Sequence, residues 1–138
     1  MKVKCLVDKV IPEIHDKRVV QWAEKSELEI TKGRIYVVFA ITKLFNVLFY
    51  YLQGDEINSF PLAFPAELFE VIDNRISKYW DFSLARIDSL SQIRIENNDI
   101  ISFKEWSEEK DEFYEKILEG DARELKIFNF YKDKMLEE

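Results

Sequence analysis

His15 and Asp16 stand side by side near the start of the chain, and they are the first residues whose types suggest a reaction. A carboxylate can orient an imidazole for proton abstraction. Neighbouring residues rarely face the same way, however, and no Ser or Cys occupies a nucleophile elbow beside them. A surface or structural role is the reading that follows. Glu67, Glu70, Asp73 and Arg75 form a second group. Paired carboxylates could move protons or hold a divalent cation, but no Asp-x-Asp pattern or histidine accompanies these, so they read as a solvated face closed by an arginine. Cys5 is the only cysteine, which excludes an internal disulfide and a two-cysteine metal site. Placed between Val3 and Val7, it reads as a small buried side chain. With Gly33, Gly54 and Gly120 as the only glycines, no glycine-rich phosphate loop can be built. The expectation is no catalytic residue, no cofactor and no metal. A small hydrolase using His15, Glu67 and Asp73 is the weakest of the readings, because its parts lack a mutual arrangement.

The elements that would position these groups read mostly as strands. At 138 residues the chain has room for one ordinary core, so residues 1–138 are expected to form one compact unit. Lys2 to Val7 is a short strand candidate, and residues 10–26 fit neither a period of two nor a clean helical stripe. Leu28 and Ile30 alternate with polar residues, Lys32-Gly33 makes a turn, and Ile35 to Ile41 is a near-continuous β-branched and aromatic run. Lys43-Leu44-Phe45 connects it to a partner strand at Asn46 to Leu52, which Gly54-Asp55 ends. Phe64-Pro65-Ala66-Glu67-Leu68-Phe69 supplies a proline-started turn, from which a short helix with Leu68, Phe69 and Ile72 on one face is expected.

That order resembles the SH3-like barrel family over residues 27–73. A strand pair around a Lys-Gly turn, the aromatic strand Phe49-Tyr50-Tyr51 and the late Phe64-Pro65-x-x-Leu68-Phe69 turn carry the likeness. The resemblance implies a small, strongly bent antiparallel sheet closing as a barrel. It does not imply a proline-peptide ligand, because the early Tyr-rich motif is missing, Phe49 or Tyr50 stands where the groove tryptophan would be, and Glu67 and Leu68 replace the closing Asn and Tyr. Residues 74–104 add strands. Trp80, Phe82 and Leu84 alternate with polar or small residues, and Ile93 and Ile95 pair with Ile101 and Phe103 across Asn97-Asn98-Asp99 as a hairpin. Tyr79, Trp80, Phe82, Phe103 and Trp106 are mostly core; any left exposed would be interface anchors.

Residues 105–138 read as a helix pair. Ser107 is an N-cap followed by Glu108 and Glu109, Phe113 pairs with Ile117 and Tyr114 with Leu118, and Gly120 stops the helix. Asp121 and Glu124 resemble a capping box for a second helix, whose core stripe is Leu125, Phe128 and Met135. Ile127, Phe130 and Tyr131 widen that stripe beyond one packing face. The fold class expected is thus α+β: an SH3-like bent antiparallel sheet extended by a hairpin, with two C-terminal helices packed on it.

The net charge of −7 is unevenly placed. Residues 1–64 carry 9 basic and 8 acidic side chains, and residues 65–138 carry 11 and 19. Between Glu105 and Glu124 there are 9 carboxylates against 3 cations, a field that repels phosphate backbones and attracts a basic surface. No nucleic-acid partner is therefore expected on charge grounds. The apolar stretch after Met1 is broken by Asp8 and Lys9, so no signal segment or membrane span is expected, and a lone cysteine fits the cytosol. Together these features predict a non-enzymatic protein-binding module. Its most concrete form is a small acidic inhibitor of the kind that immunity proteins provide against bacterial toxins, meeting a basic protein through Glu105, Glu108, Glu109, Asp111, Glu112, Glu115, Ile127, Phe130 and Tyr131. The alternative is an adaptor or subunit that docks through its last, aromatic helix; a homodimer is also open.

Overall fold

The computed structural model describes residues 1–55, 60–82, 86–89 and 92–138. In chain order its elements are β1 (Lys2–Cys5), α1 (Lys17–Ala23), β2 (Ile35–Val37), β3 (Ala40–Leu44), β4 (Val47–Leu52), β5 (Leu62–Pro65), a 3₁₀ turn (Ala66–Leu68), β6 (Phe69–Asp73), β7 (Trp80–Asp81), β8 (Arg86–Ser89), β9 (Gln92–Arg94), β10 (Ile100–Phe103), α2 (Lys104–Glu109), α3 (Asp111–Glu119) and α4 (Ala122–Leu136). The class is α+β, with every strand pair antiparallel. The sheets run β2-β1-β6, β5-β4-β3-β10-β7 and β8-β9. The described strands do not close into a barrel, which corrects the sequence expectation.

One apolar run feeds both larger sheets. Ile35 to Ile41 is not a single strand: its first part pairs with β1, Val3 opposite Tyr36, and its second part pairs with β4, Ile41 opposite Tyr50. Between them Val38 and Phe39 are buried, and the Phe39 N–H donates to the Tyr51 carbonyl at 2.8 Å. The chain therefore crosses from one sheet to the other without leaving the core. β6 returns to β1 with Cys5 opposite Phe69 and Val3 opposite Val71, slipping register between Lys2 and Val3. This also corrects the helix expected from Pro65. The helical geometry lasts a single 3₁₀ turn, and Phe69 is already extended, because β1 offers the β-branched Val71 and Ile72 segment a ladder that a tight turn cannot match.

Two loops differ from the reading of the sequence. The segment 10–26 contains α1, capped by Asp16, whose Oδ1 accepts the Arg18 N–H at 2.8 Å. Leu28 and Ile30 form no strand, although Ile30 is buried. Their loop is fastened by the Gly33 N–H to the Cys5 carbonyl at 2.8 Å and the Asp55 N–H to the Glu29 carbonyl at 2.7 Å. The Lys32-Gly33 turn forms, with Gly33 at φ +86°.

The C-terminal part also departs in detail. Asn97–Asp99 does turn, with the Asp99 N–H donating to the Glu96 carbonyl, but the strand after it pairs with β3 and β7 while β9 pairs with β8. Of the Trp80-Phe82-Leu84 strand, only Trp80–Asp81 is strand and Leu84 lies outside the described residues. β10 runs directly into α2, so Ser107 is an interior residue, buried and donating its hydroxyl to the Ile100 carbonyl at 3.0 Å. The expected single acidic helix is two, broken at Lys110 where φ is 51°. Gly120, at φ +81°, ends α3 as expected. Asp121 precedes α4 without a side-chain cap, so the capping box does not form.

The core gathers Phe39, Phe49, Phe64, Phe103, Trp106, Phe113 and Phe128, all essentially without exposure. Phe128 meets Phe39 edge-on at 5.7 Å and thereby docks α4 on the five-stranded sheet. Among the described residues no helix is long and apolar enough to cross a membrane.

Candidate functional site

The residues that suggested catalysis are each engaged locally. His15 Nδ1 accepts the Ile11 N–H at 2.7 Å, closing the turn before α1. Asp16 is instead held by the Arg18 Nε and Nη2 at 2.9 and 2.7 Å, which with the backbone N–H lower its carboxyl to about 2. Glu67 accepts the Asp16 N–H at 3.0 Å and so ties α1 to the 3₁₀ turn. Asp73 lies at the opposite end of β6, gripped by Arg75 at 2.7 Å, which holds it well below the usual carboxylate range. The structure does not bring His15, Glu67 and Asp73 into one arrangement, and Glu70 is exposed on the strand between the two carboxylates. Cys5 is buried, its thiol donating to the Val7 carbonyl and raised in pKa by burial. Among the described residues no three His, Cys, Asp or Glu side chains are placed to hold a metal ion.

The acidic segment sorts into carboxylates with internal partners and carboxylates that face water. Lys110 reaches back to Asp99 at 2.7 Å, Lys116 pairs with Glu112 at 3.3 Å, and Arg123 bridges Glu109 at 3.1 Å and Glu124 at 2.9 Å. Glu105 lies against Tyr131, whose hydroxyl is raised first by burial and then by that carboxylate. All three cations of the segment are therefore engaged. Among the described residues, Glu108, Asp111, Glu115, Glu119 and Asp121 pair with none, and all five are exposed. Asp111, Glu115 and Glu119 follow one another at four-residue intervals, which stacks them on one side of α3, away from the buried Phe113 and Ile117. Each like-charged neighbour on such a stripe costs about 0.2–0.5 kcal/mol of helix stability. Glu119 also sits at the C-terminal end, where a negative charge opposes the helix dipole.

The aromatic side of α4 is smaller than its sequence suggests. Tyr131 stacks on Phe103 at 4.2 Å and meets Tyr79 edge-on at 6.1 Å, while Ile127 packs against the core. Phe130 alone of the three projects, 55% exposed, with the Lys134 ammonium 5.9 Å from its ring. Trp80, Phe103 and Trp106 are buried and offer no surface.

A feature absent from the sequence reading lies at the other end of the five-stranded sheet. α1 and the β3–β4 turn enclose an open groove of about 550 Å³ lined by Arg18, Gln21, Trp22, Glu24, Lys25 and Phe45. Trp22 backs it, edge-on to Phe49 at 5.7 Å and Phe64 at 6.5 Å. The sequence signal was the Trp-Ala-Glu-Lys end of a segment whose periodicity is too short to reveal a seven-residue helix. Compared with known proteins, the chain matches no family model, no curated protein and no solved structure.

Proposed function

We propose that this protein is a protein-binding module that presents the acidic stripe of α3 to a basic protein, in the manner of a cytosolic immunity-type inhibitor. The observation that carries the reading is the row Asp111, Glu115 and Glu119, exposed and without a cation partner among the described residues while Lys110, Lys116 and Arg123 are all engaged elsewhere. The stripe weakens its own helix, so an external cation supplies what the fold does not. Glu108 and Glu112 extend the charged area at its start, whereas Glu105, Glu109, Ile127 and Tyr131 serve the fold and recede from the binding role. We further read the scaffold as SH3-like, counted from Lys2 rather than Glu27. The support is the bent β2–β3 segment shared by two sheets, the β3-β4-β5 meander, and the 3₁₀ turn standing just before the strand that returns to β1.

The test is affinity capture from cells that natively make the protein, using the wild type beside Asp111→Lys/Glu115→Lys/Glu119→Lys. A basic protein retained by the wild type and absent from the variant is the expected result; the same proteins on both would contradict the reading. The adaptor reading rests on Phe130, and it predicts a partner lost from Phe130→Ser and kept by the charge-reversed variant.

A further inference from the structure

Phe45 and Asn46 form the two-residue turn between β3 and β4, at φ 53° and 61°. Both central residues are left-handed, the geometry a tight hairpin prefers and normally fills with Asn or Gly. Asn46 suits it. Phenylalanine does not, since a Cβ in that region crowds the backbone. The ring recovers little by burial, because it is 68% exposed. The turn is nevertheless held firmly. Arg18 Nη1 donates to the Phe45 carbonyl at 3.1 Å while Asp16 grips the same guanidinium, and Asn46 and Asn97 exchange hydrogen bonds of 2.9 and 3.0 Å. A solvent-facing ring on a turn whose strained backbone is held in place is the pattern of a binding anchor.

The groove beside it makes the anchor specific. Phe45 projects at one edge of a hollow of about 550 Å³, and α1 supplies the rest through Gln21, Trp22, Glu24 and Lys25. The geometry points to a second copy of this chain as the occupant, with Phe45 of each protomer entering the α1 groove of the other. A two-fold contact sets one patch against its own image, and a projection beside a hollow on that patch lets the two copies interlock. Charge makes the same choice. The charges of the groove itself balance, Arg18 being paired with Asp16 and Glu24 standing beside Lys25, so two copies meet there with little repulsion, whereas the α3 stripe would repel its own image. Glu24 and Lys25, adjacent on the rim, offer each protomer a charge opposite to one on its partner. Two phenyl rings, each already about one third covered, account for only part of a standard interface of roughly 1,200–2,000 Å², so the dimer is weak and concentration-dependent.

Sedimentation equilibrium of the whole chain at physiological ionic strength, from low micromolar to near millimolar, tests this. The mass of the wild type is expected to climb from one chain toward two. Phe45→Asn, which suits the turn, stays at one chain with an unchanged or higher melting temperature. Lys25→Glu weakens the dimer at least tenfold, and exchanging the pair as Glu24→Lys with Lys25→Glu restores it. A wild type that remains a monomer throughout, or a Phe45→Asn protein that dimerises like it, overturns the proposal. Should Phe45→Asn fail to fold, Lys25→Glu decides the matter alone.

Discussion

Gly54 and Asp55, adjacent just past the end of β4, fasten the long loop that the sequence leaves undefined. A Cβ on Gly54 would lie 2.6 Å from the Glu29 carbonyl oxygen, a backbone atom that cannot swing aside. Gly54→Ala is therefore expected to lower stability by about 1–3 kcal/mol in chemical denaturation, and an unchanged midpoint would contradict that close approach. The Asp55 carboxylate accepts from the Thr31 hydroxyl, from Tyr36 at 2.7 Å and from Arg34 at 2.8 Å. Partial burial raises its pKa, but the two hydroxyls and the guanidinium outweigh that and hold it below the usual value. Burial and the Asp55 hydrogen bond in turn push the Tyr36 hydroxyl up to about 12. Because the folded carboxyl is the stronger acid, its contribution is complete above the ordinary carboxylate value of about 3.9 and is lost as pH falls through the lower folded value. Amide exchange at Thr31 and Asp55, corrected for intrinsic rates, is expected to accelerate in that acid window. In Asp55→Asn the same amides are expected to exchange fast already at neutral pH; wild-type protection there would count against the tether. Nothing in the sequence marks Asp55 for this work, since its partners lie some twenty residues back and meet it only in the fold.

At the scale of elements, α4 depends on a few buried rings. Phe128 is fully buried against Phe39 and Trp106, so Phe128→Ala is expected to cost about 3–5 kcal/mol, seen as a large fall in melting temperature. A fall of a few degrees only would mean that α4 is peripheral. The same elements show how far the sequence could be read. The α+β class, the β3–β4 pair, the Lys32-Gly33 turn and the stop at Gly120 were legible because each rests on local chemistry. Three misreadings share one cause, competition from distant partners. Ile35–Ile41 alternates like one strand, but β1 and β4 claim its two halves; Phe69–Ile72 fits a helix, but β1 offers it a ladder; Ile100–Phe103 fits a hairpin with β9, but β3 and β7 take it. The break in the acidic helix was hidden for another reason. It falls on Lys110, a residue type with no turn signature, which the Asp99 ion pair and the Trp106 carbonyl hold in place.

For the molecule as a whole, charge placement is the feature that structure sharpens most. The sequence reports an acidic second half, and the fold divides it into carboxylates that brace helices and a stripe that points outward. An outward stripe acts over a distance of roughly 8 Å at physiological salt, so with the basic partner proposed above it would govern encounter more than residence. Steering of this kind falls steeply with ionic strength, whereas apolar docking through Phe130 would hardly respond. The decisive measurement is the association rate constant of the captured basic partner by stopped flow across a salt series, for the wild type and the Asp111→Lys/Glu115→Lys/Glu119→Lys variant. The wild-type rate is expected to drop by about 10–100-fold from low to high salt, and the variant to be slow and nearly flat throughout. A wild-type rate indifferent to salt, or equal to that of the variant, would contradict this expectation.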